Sequence, residues 1–400
     1  MVHAGGARLG VAVVTIWRVA LCNRYEAQRS VDFRPGIDVN DALDRAIMSA
    51  AEEAEGELKR VFYPSDDTRY FDWPTQGMSG GGQYADPWRY WFDDNDIACM
   101  TNLVSGGVTL PLNQVYLRPW ENPRKGRPYF TAMELDRAYN VQFGNNAQSP
   151  QYSIAATGTW GYGADADPAG TLAADVGQDD ATITVTNGAL AGPGDLVVLG
   201  YGRGTAPFPG SDPHAGAIQP FTGERCLVTD VSAVETGLTQ DGSGVTSALD
   251  NDQQLQWTGT GQLNAGEVIT LDSEDMLVEK IVGEVATVRR AFNGSTITTH
   301  SGAVIWAWRQ WSVLRAQLGS SYAGPYDSGA AVSRHRVPQL VRDLGIALAE
   351  NQLLQEGSGY ARTVGSGESA MPAPGAGLAA KWAAAQKRHG RGGKARQRAV

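Results

Sequence analysis

The sequence predicts an α+β protein: one helix near each end of the chain, a small antiparallel β-sheet after the first helix, and an inserted all-β domain of barrel or sandwich-like form. Three observations predict it. Leu43, Ile47, Ala50, Ala54, Leu58, Val61 and Phe62 recur at steps of three or four, which lines them along one face of a helix. Leu340, Val341, Leu344, Leu348, Asn351 and Leu354 do the same near the other end. Between them, from about Gly170, the composition turns to Thr, Val, Gly and Asp, with few helix signals and with internal repeats.

The chain has 400 residues, more than one typical core, so two or more domains are expected. With 49 glycines, 42% hydrophobic and only 19% charged residues, it reads as a folded, turn-rich β protein with some helix rather than a disordered chain. A net charge of −10 argues against a general nucleic-acid binder. Cys22, Cys99 and Cys226 are widely spaced with no CxxC pair, which predicts buried free thiols in a reducing cytoplasm.

Five segments are expected. Residues 1–30 form an N-terminal extension: Val11 to Cys22 is nearly apolar, but Arg18 splits the run and no small-x-small cleavage site follows. It is too short to span a bilayer, and a poorly packed arm, or one ordered by partner chains, is expected. Residues 31–165 hold the first helix and the small sheet. Asp38 or Asn40 caps that helix, and Pro64 ends it. Strands are predicted where Trp88, Tyr90 and Phe92 alternate with Arg89, Trp91 and Asp93, and at Ile97–Val104, Val108–Leu117, Thr131–Leu135 and Ser153–Trp160. Residues 166–335 are the β insertion. In it, Ala181–Gly200 followed by Glu224–Val231 matches Gln253–Asp272 followed by Glu274–Ile281, with Gly194-Asp195 on Gly266-Glu267 and Glu224 on Glu274. A second repeat sets Val288–Trp306 against Val313–Ser333. Residues 336–365 hold the C-terminal helix, opened by Pro338 and stopped at Gly357. Residues 366–400 are a flexible linker, a short helix and a basic tail.

The segment RVFYPSDDTRYFDWP, the WRYW run at 88–91 and the strand IAATGTWGYG resemble the N-terminal part of the head-to-tail connector (adaptor) proteins of long-tailed bacteriophages. PQLVRDLGIALAENQLLQEG and the following SGYARTVGSG resemble that family's C-terminal helix, so the likeness covers roughly 38–162 and 310–365. The resemblance implies a helical bundle of the N- and C-terminal helices. It also implies a ring of identical copies, usually twelvefold, docked under the portal protein with a tail completion or stopper protein below. Double-stranded DNA would pass through without sequence recognition. Such a protein is a structural, non-enzymatic component of the virion neck, made in the host cytoplasm, with no membrane partner. Its ring contacts are expected from Leu43, Ile47, Leu58, Phe62, Leu340, Leu344 and Leu348.

From Ser369 to the end there are seven bases (Lys381, Lys387, Arg388, Arg391, Lys394, Arg396, Arg398) and no acid, which leaves −17 on the rest of the chain. This tail is either solvated or an electrostatic tether to an acidic neighbour or to DNA.

No catalytic, cofactor or metal residues are expected. His3, His214, His300, His335 and His389 lie far apart without ligand spacing and read as surface or turn residues, His300 as structural. Tyr201-Gly202-Arg203-Gly204 lacks the helix a phosphate cradle needs. Asp93, Asp94 and Asp96 lack calcium-loop spacing, and a β-turn accounts for Asp272, Glu274 and Asp275. The alternative reading is a carbohydrate- or receptor-binding tail adhesin that stacks sugars on Trp160, Tyr201, Trp257, Trp306, Trp308 or Trp311. A glycan hydrolase would need two placed carboxylates, and none stand out.

Overall fold

The computed structural model describes residues 16–30, 40–73, 88–92, 95–121, 129–139, 143, 149, 151–163, 165–200, 212, 214–218, 220, 223–242, 244–247, 252–322, 324–357, 363–364, 371–372 and 377–390. In chain order it contains α1 (Arg24–Ser30), α2 (Asn40–Leu58), β1 (Ser65–Phe71), β2 (Arg89–Trp91), β3 (Ile97–Ser105), β4 (Val108–Thr109), β5 (Val115–Arg118), β6 (Ala132–Leu135) and β7 (Ile154–Trp160). There follow β8 (Ala166–Thr171), β9 (Thr182–Thr184), β10 (Leu196–Leu199), β11 (Glu224–Gln240), β12 (Gln254–Gly259), β13 (Val268–Leu271), β14 (Glu274–Val282), β15 (Val285–Arg289), β16 (Val304–Leu314) and β17 (Ala331–His335). The chain closes with α3 (Gln339–Gly357), the two-residue pair β18 (Thr363–Val364) and β19 (Met371–Pro372), and α4 (Leu378–Arg388).

Among the described residues the fold is mostly β, with 39% strand against 22% helix, and this corrects the expected helical-bundle α+β class. The predicted helices exist, but the largest unit among the described residues is a ten-stranded sheet. The physical reason lies in what covers the helical stripes. Ile16, Val19 and Leu21 and, from the β region, Leu196 and Leu227 complete the core between α2 and α3, so further helices are not needed.

The N-terminal segment is likewise corrected. From Ile16 onward it is packed, with Ile16, Val19, Leu21 and Cys22 buried. Arg18, the residue that broke the apolar run, pairs with Glu55 of α2. Helix α2 ends earlier than Pro64 would require. Lys59 takes a left-handed φ of 52° and Arg60 N–H bonds back to the Glu55 carbonyl, a left-handed helix stop. Val61 therefore leaves the stripe and is exposed, while Phe62 turns into the core.

The predicted small sheet is in fact two. Strands order β1-β7-β3-β4 in one and β2-β6-β5 in the other, around a shared core that includes Phe92, Met100, Phe130 and Trp160. The expected single strand at 108–117 is split, because a 3-10 turn at Leu112–Gln114, entered at Pro111, carries the chain from one sheet to the other.

The ten-stranded sheet is two six-stranded barrels joined by two long strands. The first runs β8-β17-β10-β11-β16-β9, and a bridge between Leu172 and Val185 brings it back beside β8. The second runs β11-β16-β13-β14-β15-β12 and closes on β11. Strand β11, 17 residues long, and strand β16, 11 residues long, each serve both barrels. Register shifts at Val228/Asp230, Ser232/Ala233 and Glu235/Leu238 let them bend between the two.

The repeats seen in the sequence are this duplication. Leu196↔Leu227 and Leu199↔Glu224 in the first barrel match Val268↔Leu277 and Leu271↔Glu274 in the second. Thr182↔Ser312 matches Gln254↔Thr287. Even the strained turn recurs: Ala316, Leu318 and Gly319 have positive φ, as do Ala291, Asn293 and Gly294. The Ser320 hydroxyl accepts Arg225 N–H, as the Ser295 hydroxyl accepts Asp275 N–H.

Candidate functional site

The residues expected to contact neighbouring copies do not form a surface. Leu43, Ile47, Leu58, Phe62, Leu344 and Leu348 are buried in the chain's own core, and Leu340 packs against it half-buried. The two apolar stripes face each other, α2 on α3, which corrects that expectation: burying each large aliphatic side chain stabilises by about 1.5–3 kcal/mol and needs no partner chain. The wet face of α2 presents Glu52, Glu53 and Glu57.

The motif residues behind the family likeness converge on one aromatic cluster. The Arg60 guanidinium lies 4.4 Å from the Tyr129 ring centre and 5.6 Å from that of Tyr162, and 3.4 Å from an Asp96 carboxylate oxygen. Arg69 stacks over Trp160 at 4.7 Å. Phe62 meets Tyr162 at 5.3 Å, and Phe71 meets Tyr90, Phe92 and Trp160. Gly161, at φ 120°, lets the chain pass so close to Tyr63 that a side chain there would strike its carbonyl. This cluster seats both small sheets on the end of α2. Its cations are spent on aromatic faces and carboxylates, so it holds structure rather than a ligand.

The buried charged groups are fastenings. Arg24 of α1 makes a two-pronged pair with Asp44 of α2 at 2.8 and 2.7 Å. Asp195 accepts from Arg334 and Asn23, and Glu26 accepts from Arg334, which pins α1 to the first barrel. Arg225, with no exposed side-chain surface, pairs with Asp66 of β1 at 2.8 Å and so ties the four-stranded sheet to that barrel. Within the barrels the duplication repeats the chemistry. Glu224 pairs with Arg315 in the first, and Glu274 with Arg290 in the second, the latter pair fully buried. Glu267 takes Arg309 and the Gly188 N–H, and joins one barrel to the other.

Burial pushes the Glu274 carboxyl up, but donors from His300, Arg290 and the Thr298 and Ala291 N–H groups outweigh it and hold the pKa at about 2. This folded value lies below the ordinary 4.5. The stability it contributes is present above pH 4.5 and lost as pH falls through about 2. Thermal melts from pH 6 to 2 are expected to show that loss in the native chain, and a shallower acid limb in Glu274→Gln. Burial raises the Glu55 carboxyl to about 7 against the opposing pull of Arg18, and lowers His335 to about 4.

His335 and His389, expected as surface or turn residues, are buried, and so is His300, expected to be structural. His335 Nε2 donates to the Phe62 carbonyl at 2.7 Å, and His389 Nδ1 lies 2.9 Å from the Tyr162 hydroxyl. His214 stacks on Tyr116 at 4.2 Å between Asp136 and Asp212. Asp96 is buried beside Arg60. His3, Asp38, Asp93, Asp94, Tyr201 to Gly204, and Arg391, Lys394, Arg396 and Arg398 lie outside the described residues. All three cysteines are free and buried.

Of the aromatic residues weighed as sugar platforms, Trp160, Trp257 and Trp311 are core residues. Trp306 is 40% exposed on β16, and Trp308, two residues on, donates its indole N–H to Thr270. The predicted C-terminal helix is α3, and the short helix expected within residues 366–400 is α4, which exposes Lys381, Lys387 and Arg388. A crevice of about 300 Å³ opens at the start of α3, lined by Asp165, His335, Arg336, Arg342 and Arg388. Arg336 there is engaged by Asp165 and Asp167, and Arg342 by Glu26. Among the described residues no group of three or more His, Cys, Asp or Glu is arranged to hold a metal ion, and no helix is long and apolar enough to cross a membrane. No protein-family model matches the chain, and neither the curated proteins nor the solved structures contain a match.

Proposed function

We propose that this chain is a structural subunit of a long-tailed phage neck: a head-to-tail connector (adaptor) that assembles with identical copies into a ring, probe-testable as a dodecamer, between portal and tail. One observation carries the reading. The two segments that resemble the connector family, from opposite ends of the sequence, fold into one body. Helix α2 packs on α3, Phe62 meets Tyr162, and His335 of the return strand holds the Phe62 carbonyl. The twin barrels are an insertion between them. The buried carboxylates and guanidinium groups are committed to joining elements, which suits a load-bearing part better than a reaction centre.

In this reading the ring contacts fall on other surfaces than the apolar stripes. The exposed bases of α4 and the basic tail of one copy meet the acidic body of the next, or the portal. A body charge of −17 also gives passing DNA little to adhere to. The tail completion or stopper protein would sit below, and the site of action is the virion neck. Light scattering or native mass spectrometry, alone and with portal, tests the proposal. The expected result is a closed ring, or a monomer that assembles on portal and comes off as salt is raised. A chain that stays monomeric or trimeric with portal present sinks it.

A second reading, a carbohydrate-binding tail adhesin, is favoured by the outward Trp306 beside Trp308 on β16. Glycan binding that is lost in Trp306→Ala, by a chain indifferent to portal, would establish that reading instead.

A further inference from the structure

The two barrels are built alike, but the buried acid–arginine pair of each has a different neighbour. In the second, a strap of residues 295–303 runs from the end of β15 to β16 across the ends of β14 and β11, and His300 within it has no exposed side-chain surface. Both ring nitrogens face carboxylates: Nδ1 lies 2.8 Å from Asp272 Oδ2, and Nε2 lies 3.0 Å from Glu274 Oε2. Two acceptors need two N–H donors, so this geometry is that of the imidazolium cation.

The strap hangs on this ring and its neighbours. Thr298 N–H donates to Glu274 Oε2 at 2.9 Å, and the Thr298 carbonyl accepts from Arg290. His300 N–H bonds the Val245 carbonyl, and Arg290 reaches the Ser247 carbonyl, so the neighbouring segment 244–247 is held by the same knot. In the first barrel the matching pair, Glu224 with Arg315, has Tyr326 beside it and no histidine.

We propose that His300 is a proton-dependent latch: the strap 295–303 closes the second barrel while the imidazolium is clamped between Asp272 and Glu274, and it opens when the ring loses its proton, leaving the first barrel closed. The groups facing His300 set the sign. Asp272 on the β13–β14 turn and Glu274 on β14 are the two anions, and Arg290 at the end of β15 neutralises one of them. The Thr298 hydroxyl lies 3.3 Å from Nε2, and Gln240 of β11 reaches the His300 carbonyl. Asp252 is occupied by the N–H groups of Val245 and Ser247, and Asp275 by Thr270 and Asn293. With the ring charged, the cluster of two cations and two anions balances. With the ring neutral, one N–H is gone and a carboxylate loses its donor.

The charged ring is favoured in the closed barrel. Burial pulls the pKa of His300 down, but the bonds to Glu274 and Asp272 outweigh it and raise it above the ordinary 6.5. Closure is therefore fully supported below pH 6.5, and that support is lost as pH rises through the raised folded value. Each unit of that elevation is worth about tenfold in the closing equilibrium.

Peptide-resolved hydrogen exchange on the full chain, stepped from pH 6 to 9, tests the latch. The first-barrel turn 316–330 in the same sample corrects for base catalysis of exchange. The expected result is that 296–303 and 244–247 lose protection, relative to 316–330, in a single titration step. His300→Gln abolishes the step. Asp272→Asn, at a position 62% exposed, moves it to lower pH. A protection ratio that is constant with pH in the native chain, or a step left in place by Asp272→Asn, overturns the proposal.

Discussion

Glu224→Gln is expected to destabilise the chain by about 3–5 kcal/mol, the cost of leaving a buried cation without its counter-charge. Arg315 is 4% exposed and gives Glu224 two donors at 2.5 and 2.7 Å; its other donors reach only the Gly177 and Asp180 carbonyls. Glutamine keeps the shape and one acceptor but removes the charge, so Arg315 remains where water cannot solvate it. The double change Glu224→Leu with Arg315→Met is expected to recover most of the loss, because neither partner is then a stranded ion. Urea unfolding of the single and double variants measures both. If the single change proves neutral, the pair is not what holds the first barrel shut.

Gly161→Ala is expected to cost about 3 kcal/mol or more, from a backbone angle that L residues avoid and a direct collision. The glycine has φ 120°, and an added Cβ would lie 2.2 Å from the Tyr63 carbonyl oxygen, which is backbone and has no rotamer by which to yield. It sits between Trp160 and Tyr162, so the loss is expected to appear in near-ultraviolet circular dichroism as well as in the melting temperature. Gly107→Ala is the control. It too has positive φ (80°), but nothing lies within 4 Å of the added atom, and the expected cost is only about 1 kcal/mol.

Much of the fold was legible where a pattern has a single physical cause. The three-and-four spacing of Leu43, Ile47, Ala50 and Ala54 gave α2, and the match of Glu224 with Glu274 announced the duplicated barrels. The alignment even held the partners, since the Arg-Ala of VLRA and VRRA are Arg315-Ala316 and Arg290-Ala291; an acid and an arginine retained together in both copies is the signature of a buried pair. Less legible was what covers a stripe. An apolar helix face reads the same whether its partner is the same chain or another, and Leu344 and Leu348 were assigned to neighbours although α2 covers them. The N-terminal segment misled for a related reason. Arg18 looks like a break in an apolar run, and only the folded chain supplies Glu55 to receive it. The β content was underestimated because β11 carries bulges that spoil the alternation by which a strand is recognised.

The long strands β11 and β16 have a mechanical consequence. Ten register pairs, from Leu227↔Leu314 to Thr239↔Val304, run the length of both barrels, and they are the route by which the chain enters and leaves the second one. A pull on its far end, directed along these strands, puts both backbones under tension together, and two covalent chains resist it side by side. A sideways pull instead meets the register shifts at Ser232/Ala233 and Glu235/Leu238. The second barrel is thus stiff along one axis and compliant across it, a strut with a built-in elbow.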